Sequence, residues 1–272
     1  MSKQAHQPRK RFGQNFLHDQ QILNRMLQAI NPAPDDQIVE IGPGEGALTC
    51  PLLEQHDRLT AIELDRDLIP LLAEKCESLG ELRLIEADAM KFDFSQLAST
   101  GNKIRIVGNL PYNISTPILF HLASYADLIT DLHVLLQKEV AERIAAKPGG
   151  KNYGRLSVMM QSRFKTLLLF DVGPGAFRPP PKVTSTFIRL VPHPHPIVEI
   201  NHFERFSELV TAAFSQRRKT LKNSIHALLD EQQIIATGID PSRRAETLTL
   251  EEFAALGNML ESTNSNPTSS AS

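Results

Sequence analysis

The sequence has no tryptophan and only two cysteines, Cys50 and Cys76, among its 272 residues. The cysteines show neither Cys-x-x-Cys spacing nor another pairing pattern, so we expect free buried thiols in a reducing compartment. No apolar run approaches the roughly 18 residues that a membrane helix needs, and no segment near the N-terminus resembles a signal peptide. These absences favour a cytoplasmic protein that does not cross a membrane.

Metal-ligand patterns are also scarce. His193 and His195 stand among prolines without a nearby carboxylate or cysteine pair, which is typical of a linker, so we expect no metal. The hydrophobic content of 41% and charged content of 22% are ordinary for a globular protein. The length allows one large domain and a smaller one.

Charge is distributed unevenly along the chain. The net charge is +4 over residues 1–11, -10 over 12–137, +7 over 138–189 and -3 over 190–272. Basic blocks on an acidic body favour local contact with a polyanion. Solvated side chains without a partner remain the alternative.

Short β-branched runs alternate with helix-like segments, which predicts an α/β fold with a parallel sheet and helices on both faces. Such sheets bind ligands at the carboxyl ends of their strands. The predicted strands are 37–41, 59–63, 82–87, 104–108 and 133–137, and one predicted helix lies within 65–79.

The pattern changes near the proline-rich segments FRPPPKVTS (177–185) and HPHP (193–196). We predict a sheet domain, then a small helical domain, then a disordered polar tail. The predicted sheet domain covers 1–192, with a basic arm at 1–18 and further strands in 164–192. The predicted helical domain covers 193–261, with helices at 203–214, 219–229 and 250–260. The predicted tail covers 262–272.

A glycine-rich turn follows the first predicted strand, in VEIGPGEGALT (39–49). Gly42, Gly44 and Ala47 fit the G-x-G-x-x-G/A pattern, and Glu63 follows Gly42 by 21 residues, at the end of the second strand. Such a turn lets the backbone approach a ligand, and such an acid binds ribose hydroxyls. NAD and S-adenosylmethionine both fit, and a tight turn without a ligand is the alternative.

Asp88 follows the third predicted strand in the same way. A carboxylate there can accept a hydrogen bond from the exocyclic amine of adenine. A helix N-cap or turn aspartate would look the same.

The fourth predicted strand leads into Asn109, Leu110, Pro111 and Tyr112. This tetrapeptide resembles the signatures of methyltransferases that act on exocyclic amino groups. The Asn109 side-chain oxygen and the Leu110 carbonyl can accept hydrogen bonds from adenine N6, Pro111 fixes the backbone, and Tyr112 can stack on the base. A simple strand-end turn is the alternative, but it does not explain why this tetrapeptide occurs together with the glycine turn and Glu63.

With these motifs in place, the chain is similar over almost its whole length to the KsgA-type small-subunit ribosomal RNA adenine dimethyltransferases. The motifs occur in the family's order and spacing. They are RKRFGQNFL (9–17), VEIGPGEGALT (39–49), IELDRDL (62–68), GNLPYNIS (108–115), QKEVAERI (137–144), YGRLSV (153–158), FRPPPKV (177–183) and QRRKTLKNS (216–224).

The resemblance implies a Rossmann-like methyltransferase sheet that uses S-adenosylmethionine without a metal. It implies transfer of two methyl groups to N6 of each of two adjacent adenosines, in a hairpin loop near the 3′ end of 16S rRNA. The partner would be a small-subunit assembly intermediate, and we expect a monomer.

The resemblance also assigns site residues. Asn15 and Leu17 would close over the cofactor, Gly42 and Gly44 would lie beside its methionine portion, Glu63 would bind the ribose, Asp88 the adenine amine, and Asn109 would sit between cofactor and target. Phe177 would stack on the flipped adenine opposite Tyr112, although a core phenylalanine is the alternative without the family.

The basic segment QRRKTLKNS places Arg217, Arg218, Lys219 and Lys222 at the start of a predicted helix, suited to RNA phosphates. The segment RKR (9–11) could do the same. Three other functions remain open: a resistance-type enzyme acting on large-subunit RNA, a non-catalytic assembly factor, and an NAD enzyme.

Overall fold

A computed structural model of the chain describes residues 14–98, 102–216 and 218–262. The strands are β1 (Phe16–Leu17), β2 (Gln37–Ile41), β3 (Arg58–Glu63), β4 (Glu81–Glu86), β5 (Ile104–Asn109), β6 (Ile129–Gln137), β7 (Phe164–Val172), β8 (Phe177–Arg178) and β9 (Ser185–Pro192). The helices are α1 (Gln20–Ile30), α2 (Thr49–His56), α3 (Leu68–Cys76), α4 (Ser115–Ala123), α5 (Lys138–Ile144), α6 (Arg155–Arg163), α7 (Phe203–Phe214), α8 (Leu221–Ser224), α9 (Glu231–Ala236) and α10 (Leu250–Ser262).

Seven strands form the main sheet, in the order β4-β3-β2-β5-β6-β9-β7. The first five are mutually parallel, which confirms the predicted parallel strands and the α/β class. β9 pairs antiparallel with β6, so the segment 164–192 adds two strands and makes the sheet mixed. The carboxyl ends of β2, β3 and β5 therefore meet at one edge, where the predicted motifs follow each strand.

Burial on both faces explains the sequence of the central strands. β5 reads IRIVGN, and its first five residues are all buried. Parallel strands covered by helices on both faces carry such near-continuous apolar runs rather than an alternating pattern. The exception within β5 is Arg105, which is 7% exposed and needs partners.

Arg105 lies at the centre of a buried ion-pair network. Its Nε donates to Asp131 Oδ1 at 2.9 Å, and its Nη1 donates to Asp36 Oδ2 at 2.6 Å. Arg189 Nη2 lies 2.8 Å from Asp131 Oδ2. Burial alone would raise the pKa of Asp131, but the neighbouring His133 ring, 3.5 Å away, and the hydrogen bonds from Arg105 outweigh it and hold the pKa below the usual range. The network ties β5, β6 and β9 together at the end of the sheet where β5 begins.

The fold divides into two compact units. The first runs to Ala141 and resumes over Lys165–Pro192; the second comprises Glu142–Phe164 and the residues from His193 onward. The sequence analysis placed residues 142–164 in the first domain, whereas the structure groups them with the later helices. Within the second unit, α6 packs against α7 and α10, and Gly149 N donates to Glu246 O at 2.7 Å. No proline-rich or glycine-rich segment marks the boundaries at 141/142 and 164/165, so the sequence pattern did not show these two.

The helices of the second unit follow the sequence in part. The predicted helices at 203–214 and 250–260 are confirmed as α7 and α10. The helix predicted over 219–229 is wrong, because regular α-helix is confined to the four residues of α8. Polar side chains there bond to nearby backbone instead: Ser224 Oγ donates to Leu221 O, and the His226 ring lies 3.1 Å from Asn223 O.

Cys50 and Cys76 are free and buried, as expected. No pattern in the sequence indicates that they are neighbours, yet their sulfur atoms lie 2.9 Å apart between α2 and α3. Burial raises the pKa of Cys76 to about 12, so its thiol stays protonated at neutral pH.

Two kinds of feature are absent from the residues that the structure describes. Over that part of the chain, no helix is both long and apolar enough to span a membrane. Nor do the described side chains form any group of three His, Cys, Asp or Glu residues that could hold a metal ion.

Candidate active site

A cavity of about 340 Å³ lies in the first unit, at the carboxyl ends of β2, β3 and β5. Its volume is within the range of small-molecule sites. It brings together ten of the predicted residues, which come from five separate stretches of sequence: Asn15, Leu17, Gly42, Gly44, Glu63, Asp88, Asn109, Leu110, Pro111 and Tyr112.

The glycine turn forms one wall of the cavity. Gly42 and Gly44 have φ angles of +67° and +57°, which other residues rarely adopt. A Cβ atom at Gly44 would lie 2.9 Å from Cε1 of Phe16, so a side chain would collide with the N-terminal segment. The turn therefore presents backbone without side chains to the cavity, where a ligand such as S-adenosylmethionine could approach closely.

Glu63 ends β3 and is 7% exposed. Its Oε2 accepts a hydrogen bond from Gly44 N at 3.2 Å, and its Oε1 accepts one from Asp65 N at 2.8 Å. Burial raises the pKa of this carboxyl, and the backbone hydrogen bonds offset the rise only in part. A carboxylate offers about four acceptor positions, so Glu63 can fix the glycine turn and still accept from ribose hydroxyls.

Glu40 is a cavity residue that the sequence analysis missed. It lies in β2, is 2% exposed, and accepts a hydrogen bond from Thr49 Oγ1 at 2.6 Å. Burial, with a smaller contribution from the negative charge of Glu63, raises the pKa of Glu40 to about 7. The available signal was a charged residue inside the otherwise apolar end of the strand, IVEI.

Asp88 lies in the turn after β4. Its Oδ1 accepts a hydrogen bond from Met90 N at 3.0 Å, and its backbone carbonyl accepts one from Lys91 N at 2.9 Å. The residue is thus a turn aspartate and also lines the cavity. The two interpretations left open by the sequence are compatible, because one carboxylate oxygen serves the turn and the other can serve a ligand.

The tetrapeptide after β5 is held from three directions. Asn109 Nδ2 donates to Asn15 O at 2.8 Å, so the side-chain oxygen of Asn109 is left as an acceptor. Leu110 N donates to Leu135 O of β6 at 3.3 Å. Ile114 N donates to Pro111 O at 3.1 Å and closes a turn. The segment containing Asn15 therefore sets the direction in which the Asn109 amide oxygen points.

Tyr112 lines the cavity with its ring half-buried. Its hydroxyl lies 2.5 Å from the hydroxyl of Ser185, the first residue of β9. Burial raises the pKa of Tyr112, and the hydrogen bond to Ser185 opposes the rise without cancelling it.

Phe177 does not line this cavity. It pairs with Leu17 where β8 joins β1, is 2% exposed, and belongs to the hydrophobic core. His18 N donates to Ala176 O at 2.9 Å beside this pair. Pairing with the N-terminal segment thus accompanies burial of Phe177 in the core, and its stacking opposite Tyr112 stays a prediction.

Of the predicted RNA-contact residues, Arg218, Lys219 and Lys222 lie before or within α8, in the second unit. Arg218 and Lys219 are exposed in the turn before the helix rather than within it. Lys222 Nζ forms an exposed ion pair with Glu231 at 3.0 Å. Arg217 and the segment RKR (9–11) lie outside the described residues.

The mostly parallel sheet carries a glycine turn after β2, a buried acid at the end of β3 and the tetrapeptide Asn109–Tyr112 at the end of β5. All three line one cavity at the carboxyl ends of the strands, where open α/β sheets bind their ligands. Fold and site together define the class of S-adenosylmethionine-dependent methyltransferases. Within that class, comparison with known sequences is specific. The chain belongs to the ribosomal RNA adenine dimethylase family, whose model matches residues 5–262.

Two relatives illustrate the similarity in sequence. "Ribosomal RNA small subunit methyltransferase A" of Nitrosococcus oceani is 54% identical over 257 residues, covering 94% of this chain and 97% of that one. The protein of the same name from Acinetobacter baylyi is 50% identical, covering 95% of this chain and 94% of the other.

Two solved structures share the fold. A dimethyladenosine transferase from Plasmodium falciparum superposes with a TM-score of 0.77 at 25% identity, covering 91% of this chain and 98% of that one. The 23S rRNA methyltransferase ErmE superposes with a TM-score of 0.66 at 25% identity, covering 91% of this chain and all of the other.

Proposed function

We propose that this protein transfers methyl groups from S-adenosylmethionine to N6 of two adjacent adenosines in a hairpin loop near the 3′ end of 16S rRNA. The observation that carries the proposal is the Asn109 amide, which Asn15 orients at the cavity shared with the glycine turn. The names of the relatives from Nitrosococcus and Acinetobacter support a small-subunit substrate.

The cofactor would lie along the carboxyl ends of β2, β3 and β4. Gly42 and Gly44 would contact its methionine portion, Glu63 its ribose, and Asp88 its adenine amine. Asn15 and Leu17 would cover it from the N-terminal side. When bound, S-adenosylmethionine supplies a methyl group already activated by the positive sulfur, so the protein needs no metal and no strong base.

The target nitrogen would be prepared by two oxygen acceptors. Adenine N6 is a poor nucleophile because its lone pair is delocalised into the ring. Hydrogen bonds from N6–H to Asn109 Oδ1 and to the Leu110 carbonyl favour the pyramidal nitrogen that can accept a methyl group. Pro111 fixes the backbone that carries this carbonyl. The proton can leave to water after transfer.

Tyr112 would hold the extracted base by stacking. Base–aromatic stacking is worth about 1–3 kcal/mol, comparable to the few kcal/mol lost when a base leaves its stack. Phe177 could stack on the other face only after leaving its core position beside Leu17. We therefore propose the two-ring sandwich for the RNA-bound state alone.

The basic segment 217–219 would contact RNA phosphates through Arg217, Arg218 and Lys219, and Lys222 would exchange Glu231 for a phosphate. Target choice would follow RNA shape and a splayed loop, since side chains cannot read the deep major groove of A-form RNA. We propose a monomer that acts in the cytoplasm on a small-subunit assembly intermediate, with residues 193–261 as the main helical RNA-binding region.

Transfer of labelled methyl groups to purified ribosomal subunits tests the proposal. Small and large subunits from cells lacking the protein would be incubated with tritiated S-adenosylmethionine, and the labelled nucleotides mapped. We expect N6,N6-dimethyladenosine at two adjacent positions of small-subunit RNA only, and no label with Asn109→Ala. Label confined to the large subunit would favour the resistance-type function, and undiminished activity of Asn109→Ala would refute the proposed chemistry.

A further inference from the structure

Tyr112 is held by one hydrogen bond to its backbone and another at the tip of its side chain. At its base, Ser115 Oγ donates to the Tyr112 carbonyl at 3.2 Å. At its tip, the phenolic oxygen lies 2.5 Å from Ser185 Oγ, although the two residues are 73 positions apart in sequence. The ring between these two anchors lines the cavity.

Ser185 is itself firmly placed. It is 0% exposed and pairs with β6 in the main sheet. On one side of it, Thr184 O accepts a hydrogen bond from Lys138 N at 2.9 Å. On the other side, Thr186 Oγ1 donates to Asp171 Oδ1 of β7 at 2.7 Å. These contacts hold the backbone around Ser185 in place, so its hydroxyl can position the ring of Tyr112.

This geometry restricts the ring in a specific way. The hydroxyl of a tyrosine lies on the long axis of its ring, so a hydrogen bond there fixes where the ring lies and leaves rotation about that axis possible. A ring placed in advance loses less conformational entropy when a base stacks on it. The bond also engages the phenol with Ser185, which is fully buried and is not one of the residues that line the cavity.

We propose that Ser185 is a positioning residue for methyl transfer: its hydroxyl holds the Tyr112 ring where the target base stacks, and the Tyr112 hydroxyl serves as an anchor rather than as a proton acceptor. The inference rests on the proposed function, because only that function requires the Tyr112 ring to stack on a target base. It assigns a role to the end of the segment FRPPPKVTS, which the proposed chemistry otherwise uses only through Phe177.

A double-mutant cycle tests this role. Steady-state kinetics on unmethylated small subunits would compare the wild type with Ser185→Ala, Tyr112→Phe and the double variant. Each single substitution should lower kcat/KM for the subunit about five- to tenfold, the usual consequence of losing one hydrogen bond. The double variant should be no worse than either single one, and the affinity for S-adenosylmethionine by calorimetry should stay unchanged in all three.

Ser162→Ala is the matched control, because Ser162 is a buried serine whose hydroxyl donates to Met159 O at 2.8 Å in the second unit. It should retain wild-type kinetics. Single effects that multiply in the double variant would overturn the inference, as would full activity of Tyr112→Phe. A loss of a hundredfold or more in Tyr112→Phe would also overturn it, since losses of that size indicate proton transfer.

The cycle separates this inference from the proposed function. Should Ser185→Ala not fold, Tyr112→Phe alone decides: a five- to tenfold loss with unchanged cofactor affinity supports the anchor, and wild-type kinetics refutes it. If the wild type labels no small-subunit RNA, the proposed function fails. If it does label that RNA but the two substitutions act independently, only the positioning role fails.

Discussion

At the scale of single residues, Glu63 joins the glycine turn to the proposed ribose site. Glu63→Ala removes a charged acceptor, and hydrogen bonds to charged groups contribute about 1.5–3 kcal/mol each. We expect calorimetry to show S-adenosylmethionine binding weakened about 10- to 100-fold. Glu86→Ala is the matched control, since Glu86 ends the neighbouring strand in register with Glu63 but is exposed and outside the cavity. Equal affinities of the two variants would count against the ribose assignment.

Glu40 makes a prediction about pH. Its folded pKa of about 7 lies above the ordinary value, so burial favours the protonated form, and folding loses stability as the pH rises from about 4.5 to 7. Glu40→Gln removes this loss. Its free energy of unfolding, measured in urea, should gain about 3 kcal/mol relative to wild type between pH 4.5 and pH 8. A difference between the two proteins that is the same at both pH values would show that Glu40 does not titrate in this range.

At the scale of elements, the Arg105 network fixes the packing of β5 against β6. Arg105→Met leaves Asp131 buried without its main cation, and breaking such a pair costs about 3–5 kcal/mol. Urea unfolding at pH 7 should show a loss of this size, with little change for Arg58→Met, which replaces an exposed arginine at the start of β3.

The same pair has a definite pH dependence. Because the pKa of Asp131 is lowered in the folded state, the stability it contributes is complete above the ordinary aspartate pKa of about 3.9 and is lost as the pH falls below it. The difference between wild type and Arg105→Met should therefore shrink in acid. A difference that persists at low pH would mean that the arginine acts through packing rather than charge.

At the scale of the whole molecule, the sequence is acidic in its first half but carries exposed cations beside α8 in the second unit. Replacing Arg217, Arg218 and Lys219 with alanine should reduce the slope of log affinity for RNA against log salt by about one unit per lost phosphate contact. Arg205→Ala, which breaks an exposed pair with Glu208 on α7, should leave the slope unchanged. An unaltered slope in the triple variant would show that this turn does not touch RNA.

The amino-acid pattern was enough to predict the parallel strands, because central strands buried on both faces must be apolar along their length. It also determined which residues follow those strands, and a parallel sheet brings such residues to one edge. Ten of the predicted site residues consequently line one cavity. Local pattern likewise sufficed for α7 and α10, whose apolar spacing is helical.

The contacts between residues far apart in the chain became visible only in the folded protein. It placed Phe177 in the core through pairing with Leu17, grouped residues 142–164 with the later helices, and shortened the helix predicted over 219–229. It also brought Ser185 to Tyr112 and Asn15 to Asn109. Hydrogen bonds and pairings of this kind depend on where separate elements meet, and periodicity within one segment carries no information about that meeting.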